Sequence, residues 1–166
     1  MKHIISCQVE NKFGVLSRIS GLFSGRGFNI ISLSVGATAE DPKVSRMVLV
    51  TEGDEKVLEQ ITKQLNKLID VIKVQDLTGE DIIDREFMLI KLAYDAKKYT
   101  KLTQIVETFQ CKIVSMSPKH LIVEIDGDEK KLDTFLDLVR PFGIAEIART
   151  GKIAMTRVDK KQLSAR

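Results

Sequence analysis

The stretch HIISCQVENKFGVLSRISGLFSGRGFNIISLSV, residues 3–35, passes through three patterns in succession. Residues 3–9 alternate apolar and polar, with Ile5, Cys7 and Val9 on one face, which is the period-two signature of a half-buried strand. Val15, Leu16, Ile19, Leu22 and Phe23 then recur at helical spacing and form one apolar face of a helix. Gly25 and Gly27 stop that helix, because glycine suits the left-handed backbone that follows a helix end. Ile31, Leu33 and Val35 restore the alternation over residues 28–36. Strand, helix and strand in so short a span set the architecture of the rest.

Outward from this start, the loop around Glu40, Asp41 and Pro42 is rich in turn residues. A third strand is predicted at residues 45–51. Gly53 and Asp54 open a second helix with an apolar stripe of Val57, Leu58, Ile61, Leu65 and Leu68, and Asp54 and Glu55 suit its positive N-terminal end. Residues 70–77 read as a fourth strand. The second half repeats the order. Residues 86–93 are a strand, and Leu102, Ile105, Val106 and Phe109 share a helix face. Residues 111–116 and 120–126 are strands around a Ser117–Pro118 turn. Leu132, Phe135, Leu136 and Val139 share a second helix face, which Pro141 and Gly143 end. Residues 144–149 are the last long strand, and residues 151–156 add a short edge strand.

The predicted fold is therefore α+β, with two ferredoxin-like βαββαβ domains in tandem. The first is expected over residues 1–78, a linker over 79–85, the second over 86–157, and a basic tail over 158–166. Two helices cover only one face of a four-stranded sheet. The partly apolar outer faces are therefore expected to pair between domains or between chains.

Composition narrows the function classes. The chain has 166 residues and a net charge of +3, with seven Phe, two Tyr and no Trp. Residues 1–78 carry 10 basic and 9 acidic groups, residues 79–148 carry 10 and 13, and residues 149–166 carry 6 and 1. The basic balance thus belongs to the tail. The longest uncharged run, Gly27 to Ala39, has 13 residues, short of the ~20 that a membrane helix needs. No secretory leader is expected, because Asn11 and Lys12 follow directly on the first apolar strand. Cys7 and Cys111 both lie in strand-like runs and read as small buried apolar residues in preference to a disulfide or ligand pair. A cytoplasmic protein is expected.

No catalytic constellation is visible. His3 and His120 lie in different halves, and neither has a ligand residue at metal spacing. There is no phosphate-binding G-x-x-x-x-G-K-[ST] loop and no G-x-S-x-G elbow. The segment GLFSGRG ends a helix instead of opening one and has its glycines in the wrong order for dinucleotide binding.

The candidate binding residues cluster early. Asn11 and Gly14 lie in the turn between the first strand and first helix. Gly14 permits close backbone approach, and the free N–H groups of the helix it opens favour an anion such as a carboxylate. Asn11 both donates and accepts hydrogen bonds, which suits a zwitterion. Asn29 is polar among Phe28, Ile30 and Ile31. A purely structural role stays open for each: Asn11 capping the turn, Gly14 serving a tight connection, Asn29 starting a strand.

The run from Asn11 to Val35 resembles the ACT domain that opens the small, regulatory subunit of acetolactate synthase (acetohydroxyacid synthase). The likeness continues through DPKVSRMVLV and GDEKVLEQITKQLNKLIDV, through REFMLIKL and LIVEIDGDEKKLDTFL, and to GIAEIARTG, so it spans essentially the whole chain. Phe13 departs from the proline usual in the broader ACT pattern. The resemblance implies an N-terminal ACT domain and a C-terminal ferredoxin-like domain. It also implies a homodimer through paired ACT domains and a catalytic large subunit as partner. It further implies feedback inhibition by valine in branched-chain amino acid biosynthesis, with leucine or isoleucine as related effectors. Carried over residue by residue, Asn11, Gly14, Val15 and Leu16 would hold valine from one chain, and Asn29 and Ile30 would close the site from the other. Thiamine diphosphate, magnesium and FAD are expected on the large subunit and no cofactor in this chain.

Rivals come from other classes. An RNA-binding module shares the βαββαβ order but stacks bases on aromatics of its central strands, and no such aromatic pair is present. An ACT-bearing transcription regulator needs a helix-turn-helix segment for which no room remains. A stand-alone enzyme lacks any site. The basic tail reads either as a disordered end or as part of the contact with the catalytic subunit. The long polar loop at residues 37–44 is a second candidate contact.

Overall fold

In the computed structural model of the chain, residues 1–93 and 98–158 are described. The elements run β1 (Lys2–Glu10), α1 (Val15–Gly25), β2 (Ile30–Ala37), β3 (Val44–Glu52), α2 (Glu55–Leu65), β4 (Val71–Asp76), β5 (Ile82–Ala93), α3 (Tyr99–Thr108), β6 (Lys112–Met116), β7 (His120–Gly127), α4 (Glu129–Val139), β8 (Ile144–Arg149) and β9 (Ile153–Thr156). One sheet has the order β2-β3-β1-β4, and the other has the matching order β6-β7-β5-β8 with β9 beside β5. The strand pairs within both four-stranded sets are antiparallel. The chain is thus two ferredoxin-like βαββαβ domains in tandem, as its periodicity predicts.

In the first unit, the register Ile5↔Leu49 and Cys7↔Met47 puts the odd residues of β1 and β3 on the helix-covered face. There they pack with Val15, Ile19 and Phe23 of α1 and Ile61 and Leu65 of α2. The Asp54 side chain caps α2 by accepting from the Val57 N–H at 2.8 Å. Asp54→Ala removes that acceptor and is expected to lower stability by about 1 kcal/mol, read as a lower urea midpoint at unchanged slope.

In the second unit, Met88, Ile90 and Leu92 of β5 and Leu121, Val123 and Ile125 of β7 form the sheet side of the core. Leu102 and Val106 of α3 and Leu132, Phe135 and Val139 of α4 cover them. At one edge Arg149 donates from Nε to buried Glu86 at 2.6 Å and from Nη1 to Asp133 at 2.9 Å. Arg149→Met leaves the Glu86 carboxylate without this partner. A loss of about 2 kcal/mol is expected, below the full cost of a broken buried pair because Asp133 is solvated. Urea unfolding of the variant beside an Arg149→Met, Glu86→Gln double variant checks it, since the second change should restore part of the loss.

The unit boundaries differ from the expected ones. Met1–Ile83 together with the segment from Gly151 forms one compact unit, and Asp84–Thr150 forms the other. The expected linker at residues 79–85 is instead a turn followed by the start of β5 at Ile82. Residues 151–157, expected in the second domain, return to the first unit. The reason is apolar burial. Ala154 of β9 joins Val48 and Leu77, with Ile4 and Ile82 packed against them. Val48 alternates with core residues Met47 and Leu49, so this cluster lies on the sheet face away from the helices. The returning segment therefore covers part of the face expected to be open. Gly151 lies on the backbone of β2: a Cβ there would sit 2.3 Å from the Leu33 carbonyl oxygen. The Arg157 N–H donates to the Asp81 carbonyl at 2.8 Å, and its Nε to the Asp81 carboxylate at 3.0 Å. Of the expected basic tail, Val158 is exposed, and residues 159–166 lie outside the described residues.

Both cysteines are free. Burial pushes the Cys7 thiol up to about 12 and the Cys111 thiol up to about 11. They act as small core residues: Cys7 sits in the first core, and Cys111 packs against the second.

Candidate functional site

Residues 11–14 join β1 to α1. Glu10 of β1 pairs with Val44 of β3, so this turn lies beside the loop between β2 and β3. The Asn11 N–H donates to the Lys43 carbonyl at 2.6 Å. The Asn11 side chain donates from Nδ2 to the Pro42 carbonyl at 2.9 Å. The loop is braced in turn. Thr38 Oγ1 donates to the Asp41 carbonyl at 2.8 Å, and Asp41 Oδ1 accepts from the Lys43 N–H at 2.8 Å.

Gly14 has φ 82° and ψ −8°, a left-handed backbone that it adopts without Cβ strain, and it stands as the N-cap of α1. It has no side chain to cap the helix. Asp54 and Asp128 cap α2 and α4, whereas the N–H groups of Leu16 and Ser17 find no acceptor among the described residues. The α1 N-terminus is thus an open, positively polarised end. Around it, Arg18 pairs with Asp70. Lys12 bonds Glu10 at 2.6 Å, and that hydrogen bond raises the Lys12 pKa.

The predicted residues divide into two places. Asn11, Gly14 and Leu16 are exposed at one end of the sheet. The Val15 side chain, 3% exposed, is core, so only its backbone is left to the turn. Asn29 and Ile30 lie beyond the far end of α1, about 16 Å of helix away. There the Asn29 carbonyl accepts from Thr51 Oγ1 at 2.7 Å, and Ile30 pairs with Thr51. One chain does not bring the two groups together. Behind Thr51 stands its strand partner His3, buried, with Nε2 3.1 Å from the Gly53 carbonyl and Nδ1 without a hydrogen-bond partner among the described residues.

The sequence reading missed the role of Thr38, Asp41 and Pro42 in holding Asn11, although the Asp–Pro turn was visible. Phe13, which stands where the broader ACT pattern has proline, is fully exposed at the tip of the turn.

Chemically, the turn offers N–H donors to an anion and the Asn11 Oδ1 to a donor. Among the described residues, no three His, Cys, Asp or Glu side chains gather as a metal site. The outward residues of β1 and β3 include no aromatic: Ile4, Ser6 and Gln8 on one strand and Arg46, Val48 and Val50 on the other. Those of β5 and β7 include one, Phe87. The paired stacking platform of an RNA-recognition sheet is therefore missing. Among the described residues no helix is long and apolar enough to cross a membrane.

Residues 5–73 match the family model of the AHAS small subunit-like ACT domain, and residues 85–158 match that of the small subunit of acetolactate synthase. The probable acetolactate synthase small subunit of Archaeoglobus fulgidus is 50% identical, over 97% of this chain and 100% of its own. That of Bacillus subtilis, named acetolactate synthase small subunit, is 43% identical over 99% and 96%. The crystal structure of the Thermotoga maritima acetolactate synthase small subunit superposes with a TM-score of 0.88 at 40% identity, over 96% of this chain and 99% of that one.

Proposed function

Because the chain belongs to the acetolactate synthase small-subunit family, we propose that it is the regulatory partner of a catalytic large subunit, raising its activity and making it sensitive to valine. Thiamine diphosphate, magnesium and FAD are assigned to the large subunit, where acetolactate forms. Valine is assigned to the turn of Asn11, Gly14 and Leu16. The uncapped α1 N-terminus there receives the carboxylate, Asn11 Oδ1 receives the ammonium, and the exposed Leu16 lies beside the branched side chain.

The observation that carries this reading is an open helix end beside a held amide. Gly14 leaves the N-terminus of α1 without a side-chain cap, as that of α3 also is, but at α1 the Asn11 amide stands next to it, fixed on the Pro42 carbonyl. The second half of the site is assigned to another copy of the chain. In a two-fold pair, opposite ends of two antiparallel elements meet. Asn29 and Ile30 of one copy then face the Asn11 turn of the other. The edge strand β2, with Ile31 and Val35 exposed, supports such side-by-side pairing.

Regulation of this kind requires that valine bind two states of the assembly differently, typically by ~1–3 kcal/mol. The deciding experiment mixes the chain with its large subunit and follows acetolactate formation from pyruvate. The expected result is no turnover by the chain alone, a higher rate for the mixture than for the large subunit alone, and a rate lowered by valine only when the chain is present. Turnover by the isolated chain, or valine inhibition of the large subunit without it, would overturn the proposal.

A further inference from the structure

The β2–β3 loop holds one end of the Asn11 amide and leaves the other. An asparagine amide is a donor at Nδ2 and an acceptor at Oδ1, and it cannot offer the same function at both ends. Here Nδ2 is committed to the Pro42 carbonyl. Turning the amide over would set Oδ1 against that carbonyl oxygen, acceptor against acceptor. The loop does not yield readily, because Thr38 holds Asp41, Asp41 holds Lys43, and the Lys43 carbonyl accepts from the Asn11 backbone N–H. The orientation of Asn11 is therefore set by a segment that need not touch the ligand.

We infer that the β2–β3 loop is a specificity element, which fixes Asn11 as a hydrogen-bond acceptor and makes the site select an α-amino acid over the 2-oxo acid with the same side chain. The inference rests on the effector reading of the Asn11 turn. Both kinds of ligand carry a carboxylate for the α1 N-terminus, and both can carry the same branched side chain. They differ at the α-carbon. An ammonium presents three donors to Oδ1, whereas an oxo group presents only an acceptor and leaves Oδ1 facing another oxygen. A site built around a fixed polar partner rejects the analogue that lacks the matching group far more strongly than an apolar pocket does. The physiological sense is plain: transamination interconverts a 2-oxo acid and its amino acid, and such a site responds to the finished amino acid and not to its oxo precursor.

The test is titration calorimetry of the full-length chain with valine and with 3-methyl-2-oxobutanoate. The wild-type protein is compared with two loop variants outside the ligand contacts, Asp41→Ala and the Thr38→Ala, Pro42→Gly double variant. The wild-type chain is expected to bind valine on the order of 100-fold more tightly than the oxo acid. In a loosened loop the amide turns freely, so the ratio is expected to fall below about 10-fold, chiefly because the oxo acid binds better. Retention of valine binding by either variant shows that it is folded and keeps the test valid if the other is not. Wild-type binding of the oxo acid within a few-fold of valine overturns the inference, as does an undiminished ratio in both variants. If valine inhibits the mixed enzyme in either of those cases, only the loop assignment falls. If valine neither binds nor inhibits, the effector reading falls and takes the inference with it.

Discussion

Gly151→Val is expected to destabilise the first unit by about 3 kcal/mol. The Cβ of any residue at 151 would lie 2.3 Å from the Leu33 carbonyl oxygen, 2.5 Å from its carbon and 3.0 Å from its nitrogen. These are backbone atoms of a paired strand, so no rotamer change relieves the clash. The returning segment must lift. Ala154 then leaves Val48 and Leu77, which are 3% and 2% exposed in the native chain. Re-exposing two such side chains costs about 1.5–3 kcal/mol each when complete, and the local shift required here exposes them only in part. Urea unfolding measures the loss. Gly151→Ala should show most of it, because the first carbon already collides. An unchanged midpoint in both variants would mean that the segment is not seated on β2 in solution.

Gly14→Asp is expected to abolish the valine response of the mixed enzyme while leaving its valine-free rate within about two-fold. The introduced carboxylate stands at the α1 N-terminus, where it caps the open N–H groups. The built Cβ would lie 3.6 Å from an Arg18 guanidinium nitrogen, so the new carboxylate has a cation beside it that it shares with Asp70. Both effects offset the strain of a left-handed backbone, which aspartate tolerates better than most residues. The helix end is then occupied by the chain itself, and the effector carboxylate meets like charge. A complete dose–response curve, with inhibition falling from nearly full to none at saturating valine, measures the effect. Full sensitivity in this variant, and in Asn11→Ala beside it, would place the effector elsewhere.

The architecture was legible because its burial is periodic. Ile5, Cys7 and Val9 alternate, and Val15, Ile19 and Phe23 recur at helical spacing, and each set enters the same core. The tight turn at Asn11 and Gly14 is legible because glycine supplies the positive φ found there, but the same two residues also serve a tight strand-to-helix connection, so the sequence by itself does not mark them as a binding site. Two things were not legible. Gly151, Lys152 and Ala154 carry no signal naming their partner, because alternation marks a strand and its buried face but not which sheet covers that face. The hold of the β2–β3 loop on Asn11 was also hidden, since its acceptors are backbone carbonyls at Pro42 and Lys43 that any residue would supply. Val15 shows the converse. It lies in the stretch that carries the family resemblance, yet its side chain is spent on the core, and only its backbone is left to the turn.

The return of residues 151–157 to the first unit bears on how the chain is made. The first unit is discontinuous, and roughly 70 residues of the second are translated between its two parts. At ~5–20 residues per second, the ribosome takes roughly 3–14 s to reach Gly151 after Ile83. For that interval Val48 and Leu77 emerge with their cover still unsynthesised, while the Asp84–Thr150 unit is complete in sequence before the piece that finishes the first has been made. A chain truncated after Thr150 and released should therefore hold a folded second unit together with a first unit whose outer face remains open to chaperones.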